Sequence, residues 1–178
     1  IYGCDGFYGK EIMCGIFGYI GAREASPLIL DGLSRLEYRG YDSAGVVTLH
    51  TIGHLQVRKT EGKVANLSKL IDDRPVTGNA GLGHTRWATH GKAINENAHP
   101  HTDASGTIAV VHNGIVENYQ ELSIMLQDHG YSFTSSTDSE VIPNLISHHM
   151  AEGRDFREAV RITATQLQGA HAIAAIWN

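Results

Sequence analysis

Met13-Cys14-Gly15-Ile16-Phe17-Gly18 is the stretch on which the reading of the whole chain turns. It places a thiol directly after a methionine. A chain that starts at Met13 and loses it leaves Cys14 with both a thiol and a free α-amine. Their ordinary pKa values are about 8.5 and about 7.7–8.0, so the two can share a proton directly or through a water. The plainer alternative is a small buried apolar residue at the start of a strand, the usual fate of a free cysteine. The remaining sequence has to decide between them.

The totals exclude several classes. The 178 residues suffice for one domain with a real core. A net charge of −5, from 14 Lys+Arg against 19 Asp+Glu, argues against a general nucleic-acid surface. Two cysteines, Cys4 and Cys14, make no disulfide framework and point to a reducing, cytoplasmic compartment. No apolar run reaches the ~18 residues of a membrane helix, and no secretory signal is present.

The pattern then runs as follows. Residues 1–13 are Gly-rich and aromatic without periodicity and stand apart as an N-terminal extension. Residues 16–20 read as a short buried strand. Ser26-Pro27 reads as a helix start, Ser as cap and Pro at the first helical position, with Leu28, Leu33 and Leu36 on one face. Residues 44–50 and 54–59 form a hairpin about Ile52-Gly53. A helix over 64–71 and a strand over 82–88 follow, then a loop over 89–101. Residues 107–112 are a β-rich run ended by Asn113-Gly114. A helix over 117–129 presents Tyr119, Leu122 and Leu126 and stops at Gly130. Thr137-Asp138-Ser139-Glu140 has the form of a capping box and opens a helix to about residue 151, with Pro143 loosening its first turns. A third helix over 155–168 and a buried strand over 170–176 complete the pattern. Blocks of strands between helices and hairpins make the class α+β with at least two sheets. The end at Trp177-Asn178, without a closing element, suggests a domain truncated at its C-terminal end.

Three loop clusters carry candidate chemistry. In Tyr38-Arg39-Gly40-Tyr41-Asp42-Ser43-Ala44-Gly45 an Arg between two Tyr can hold a carboxylate or brace the nucleophile; it can equally be a surface Arg in a turn. In Gly83-His84-Thr85-Arg86-Trp87-Ala88-Thr89-His90-Gly91, Arg, Thr and His make a ready carboxylate site, because guanidinium offers a planar fork of donors. The alternative is an exposed polar loop over a packed Trp87. In His112-Asn113-Gly114 the Asn amide and a Gly N–H can form an oxyanion hole, although the pair alone reads first as an Asn-Gly turn. Asp138 can pair with a substrate ammonium or simply favour a helix start. His84, His90, His99, His101 and Asp103 are close in sequence, but their spacing fits no standard zinc pattern.

Cys14-Gly-Ile-Phe-Gly, the Tyr38–Gly45 and His84–Gly91 runs, His99-Pro-His101, His112-Asn-Gly114 and Thr137-Asp-Ser-Glu-Val-Ile142 together resemble the glutaminase domains of the glutamine–fructose-6-phosphate aminotransferase family, class II glutamine amidotransferases. The resemblance runs in order from Met13 to the end. It implies a four-layer αββα sandwich of the N-terminal-nucleophile hydrolase type, incomplete over residues 14–178. It implies that Cys14 attacks the side-chain amide of L-glutamine, with its own α-amine as base and then acid. Asn113 and Gly114 N–H would hold the oxyanion, and Arg39 and Gly40 would support the nucleophile. Arg86, Thr89 and His90 would hold the α-carboxylate, Asp138 would hold the α-ammonium, and Trp87 would guard the ammonia route. No metal and no organic cofactor is implied. The ammonia would pass to sugar-phosphate isomerase domains missing from this chain, making glucosamine 6-phosphate in a homodimeric full enzyme. One departure is the 13-residue extension, which the mechanism requires to be absent or removed. Competing expectations are an amidotransferase with another acceptor, such as phosphoribosyl pyrophosphate, and an inactive glutamine-binding fragment.

Overall fold

A computed structural model describes residues 14–37, 41–87 and 94–178. Two antiparallel sheets lie face to face. The first has four strands in the order β1-β4-β2-β3, from β1 (Gly15–Ile20), β2 (Ser43–Leu49), β3 (Leu55–Glu61) and β4 (Ala80–Arg86). The second has three, β5 (His101–Thr102), β6 (Ile108–Gly114) and β7 (His171–Trp177), with β6 central. Helices α1 (Ala25–Leu36) and α2 (Val64–Asp73) cover the outer face of the first sheet, and α3 (Tyr119–Asp128), α4 (Val141–Ala151) and α5 (Phe156–Gln166) that of the second. The layering is the expected αββα.

Each half has its own apolar core, because each sheet turns one set of alternate residues to its helices. Ala44 and Val46 of β2 meet Ala25, Ile29 and Leu33 of α1 and Val64, Leu67 and Ile71 of α2. Ile108 and Val110 of β6 meet Leu126 of α3, Ile142, Leu145 and Ile146 of α4, and Ala159 of α5. Each fully buried Leu or Ile here is worth about 1.5–3 kcal/mol. On the opposite face of the second sheet Ala109 pairs with Ile176, Val111 with Ala174 and Asn113 with Ala172 across β6 and β7.

Several local expectations need correction. The first strand is an edge of its sheet, and Ile20 is 84% exposed, so it is not a buried strand. Helix α1 starts two residues early: Glu24 is its N-cap, Pro27 is its third residue, and Ser26 Oγ donates to Val76 O at 3.2 Å. Its buried face is Ala25, Ile29, Gly32 and Leu33, a cleaner i, i+4, i+7, i+8 stripe than the three leucines. The Thr137–Glu140 box does not close on itself. The Glu140 carboxylate instead accepts from Thr134 N, Ser135 N and Thr134 Oγ1, and a 3-10 turn, Asp138–Glu140, leads into α4. The Asp155 cap of α5 does form, accepting from Glu158 N at 2.8 Å. The last strand, β7, is an edge and only partly buried.

Candidate active site

Asn113-Gly114 is not a turn. Both residues are the last rungs of β6, opposite Ala172 and His171 of β7. Gly114 has φ +134°, and a Cβ there would collide with Ala170 O. Only glycine lets the strand end in this conformation against the neighbouring backbone. Asn113 points to the first sheet, where its Nδ2 donates to Cys14 O at 2.8 Å.

The orientation of that amide is fixed chemically. His84 Nε2 lies 2.9 Å from Asn113 Oδ1 and 3.1 Å from His112 O. Neither oxygen can donate, so Nε2 carries the proton and the Asn113 oxygen faces the imidazole. His84 Nδ1 is then bare, and it is buried without a partner. One histidine therefore ties β4 to β6 and aims an amide N–H at the backbone of Cys14.

The thiol of Cys14 sits at the start of β1. Trp87 N–H donates to Sγ at 3.2 Å, and Gly15 N–H donates to Thr85 Oγ1 at 3.2 Å. Burial raises the Cys14 pKa; the Trp87 N–H and the Arg86 charge oppose this. The thiol is thus held neutral and needs a base. Two imidazoles on the cavity wall are poor ones. Burial pushes His112 down to about 4, and it pushes His99 well below the ordinary range.

A cavity of about 490 Å³ opens on this thiol. Its walls bring together Cys14, Arg86 and Trp87 from the first half with Asn113, Gly114 and Asp138 from the second. Arg86 is buried on the inner side of β4 and forms an ion pair with Asp42 at 3.5 Å. Asp138 is buried at the head of the 3-10 turn, where its Oδ2 accepts from Val116 N at 2.6 Å. An acid on one wall and a guanidinium on another suit an α-amino acid, whose two charged groups branch from one carbon. Trp87 lines the cavity and is 39% exposed. Arg39, Gly40, Thr89 and His90 lie outside the described residues.

Some contributors carried no sequence signal of their role. The loop before β5 reaches the site because Lys59 Nζ donates to Ala98 O at 3.0 Å and to Glu96 O at 3.3 Å. His99 Nδ1 then accepts from His112 N at 3.2 Å. A Cβ at position 45 would strike His99 O, so Gly45 is what allows this loop to lie against β2. His171, the first residue of β7, also lines the cavity. The clue available was a polar residue heading an apolar strand.

The buried imidazoles make stability depend on pH. Burial lowers His84 and His112 to about 4, and His99 and His101 well below the ordinary value. Unfolded, each would titrate at about 6.5. Their neutral burial is therefore without cost above that pH, and stability falls as pH drops from about 6.5 toward 4. Each group contributes up to about 1.4 kcal/mol per pH unit in that window. The urea midpoint should fall steeply between pH 6.5 and 5. A flat midpoint over that range would mean that the folded state binds these protons.

The sequence matches the family described as glutamine amidotransferase domain over residues 84–178, a span that includes Arg86, Asn113, Gly114 and Asp138. The chain belongs to the glutamine amidotransferase domain family. Longer relatives match over more of this amidotransferase domain. It is 54% identical over 165 residues to the glutamine–fructose-6-phosphate aminotransferase (isomerizing) of Gloeobacter violaceus, covering 92% of this chain and 27% of that protein. It is 49% identical over 164 residues to the enzyme of the same name from Clostridium acetobutylicum, covering 92% and 26%. The chain thus spans about a quarter of the length of the curated relatives it matches. Among solved structures, the domain superposes on glutamine phosphoribosylpyrophosphate amidotransferase from B. subtilis, complexed with ADP and GMP. There the TM-score is 0.77 at 28% identity, covering 91% of this chain and 35% of that one.

Proposed function

We propose that this amidotransferase domain hydrolyses the side-chain amide of L-glutamine at Cys14 and supplies the ammonia for making glucosamine 6-phosphate from fructose 6-phosphate. The observation that carries the reading is the cavity on whose walls a thiol, an oxyanion-type amide, a guanidinium and a carboxylate converge. In the proposed reaction the α-amine of a terminal Cys14 takes the thiol proton and Sγ bonds to the amide carbon. The oxyanion is held by the second hydrogen of Asn113 Nδ2 and by Gly114 N–H. The amine returns the proton to the leaving nitrogen, ammonia departs, and a γ-glutamyl thioester remains. Water then releases glutamate and restores the thiol.

Arg86 would hold the α-carboxylate and Asp138 the α-ammonium, with Thr89, His90, Arg39 and Gly40 in the supporting roles the resemblance implies. Trp87, on the cavity wall and bonded to Sγ, is placed to guard the exit of ammonia. The acceptor is inferred from identity: 54% to a fructose-6-phosphate enzyme against 28% to the phosphoribosylpyrophosphate enzyme. The partner would be sugar-phosphate isomerase domains of the same, homodimeric protein, acting in the cytoplasm in hexosamine synthesis.

The test is Cys14→Ala in the full-length protein processed to begin at residue 14. Glutamate release should fall to background while glutamine still binds, because Arg86 and Asp138 are untouched. Turnover above a trace by the Ala variant would remove Cys14 from the nucleophile's role.

A further inference from the structure

Four side chains of the cavity wall, His171, His112, Ser139 and Asp138, run in single file. His171 Nε2 lies 3.0 Å from Gln168 O, and His171 Nδ1 lies 3.0 Å from His112 Nε2. His112 Nδ1 lies 2.8 Å from Ser139 Oγ, which in turn lies 3.5 Å from Asp138 Oδ1. The direction of every bond follows from the first. A carbonyl only accepts, so His171 Nε2 carries hydrogen and, in the neutral ring, Nδ1 accepts. His112 must then donate from Nε2, which leaves its own Nδ1 bare. Ser139 donates its single hydroxyl hydrogen to that nitrogen, and the 3.5 Å approach to Asp138 is left without a proton. Asp138 Oδ2 is already anchored by Val116 N–H. Oδ1 of this cavity-lining residue therefore keeps its lone pairs unspent.

We propose that His171 is a positioning residue for the α-ammonium of glutamine, acting through His112 and Ser139 to keep Asp138 Oδ1 clear of any internal donor. This rests on the assignment of Asp138 to the ammonium. Without an acceptor at residue 171, His112 gains nothing from a proton on Nε2. It can move the proton to Nδ1 and donate to Ser139 Oγ. The hydroxyl then turns to Asp138 Oδ1 and competes with the substrate for that oxygen.

The experiment uses the full-length protein processed to begin at Cys14, with L-glutamine as the probe. Nitrogen-15 NMR of the wild type should show His112 protonated on Nε2. In His171→Phe the proton should move to Nδ1, KM for glutamine should rise roughly five- to tenfold, the scale of one hydrogen bond, and kcat should change less than twofold. His171→Asn, whose Oδ1 replaces the lost acceptor, should restore both the tautomer and KM. Adding Ser139→Ala to His171→Phe should also return KM toward wild type, since no hydroxyl remains to compete; a role confined to packing would not be rescued this way. An unchanged KM or an unchanged tautomer in His171→Phe overturns the proposal. So does Nδ1–H in the wild type, a readout that stands even where the Phe variant does not fold. Asp138→Asn tests the underlying assignment separately: if KM does not rise there, the ammonium site itself is wrong and the proposal falls with it.

Discussion

Glutamate should be released by a protein whose first residue is Cys14 and not by the same protein still carrying residues 1–13. The reason lies in the proton balance at the thiol. Burial raises the Cys14 pKa above its already basic ordinary value, so little thiolate exists at neutral pH. The described hydrogen bonds of Sγ go to the backbone of Trp87, and none goes to an imidazole or a carboxylate. His112, on the cavity wall, titrates near the bottom of the imidazole range, at about 4, and is a weak base at pH 7. Among the described residues no side-chain base hydrogen-bonds to Sγ; an α-amine on Cys14 itself has suitable basicity, and an amide nitrogen there has no basic lone pair. The extended form should be inert to an electrophilic glutamine analogue, and the processed form should be labelled on Cys14. Mass spectrometry of the labelled peptide decides it: equal labelling rates for the two forms would mean that the base is elsewhere.

Asn113→Ala should lower kcat by about a hundredfold or more, the scale of a lost oxyanion donor, with a much smaller change in KM. Three losses coincide. The donor to the developing negative oxygen goes. The bond to Cys14 O at 2.8 Å, which steadies the Cys14 backbone, goes with it. His84 Nε2 keeps His112 O but loses its second acceptor, 2.9 Å away. Asn113→Asp preserves volume and the acceptor for His84, yet turns an oxygen toward Cys14 O, so it should be as poor as the Ala variant. Steady-state kinetics on both variants checks this. A loss expressed in KM alone would take Asn113 out of the transition state and make it a binding residue.

How much of this was legible beforehand depends on whether the signal was local. The hairpin of β2 and β3, the helix α2 and the Asp155 cap rest on short-range patterns, and the sequence spells them out. The loop motifs around Cys14, Arg86, Asn113 and Asp138 were also readable, because their residue types are rare in that combination. What escaped depends on tertiary contacts. Ser26 has the chemistry of a cap, but its hydroxyl is taken by Val76 O, 50 residues away. Glu140 completes a capping box on paper, yet the Thr134–Ser135 backbone offers it two N–H groups together. Asn-Gly favours a turn until β7 arrives to pair with it, 57 residues on. Asp42 was visible within its motif, but its ion pair with Arg86 arises only when β2 and β4 come into register.

The two separate cores have a consequence for how this protein fails. Cys14 and Arg86 ride on one helix-backed layer; Asn113 and Asp138 ride on the other. Across the layers at this end run hydrogen bonds, from His84 Nε2 to His112 O and Asn113 Oδ1 and from Asn113 Nδ2 to Cys14 O. Each layer can keep its helices docked while the join between them slackens, since neither core borrows its buried leucines and isoleucines from the other. Mild heat, acid or denaturant thus acts first as a clutch, disengaging the two halves of the reaction centre before either half melts. Enzymatic competence is a more sensitive gauge of this molecule's integrity than its helical content.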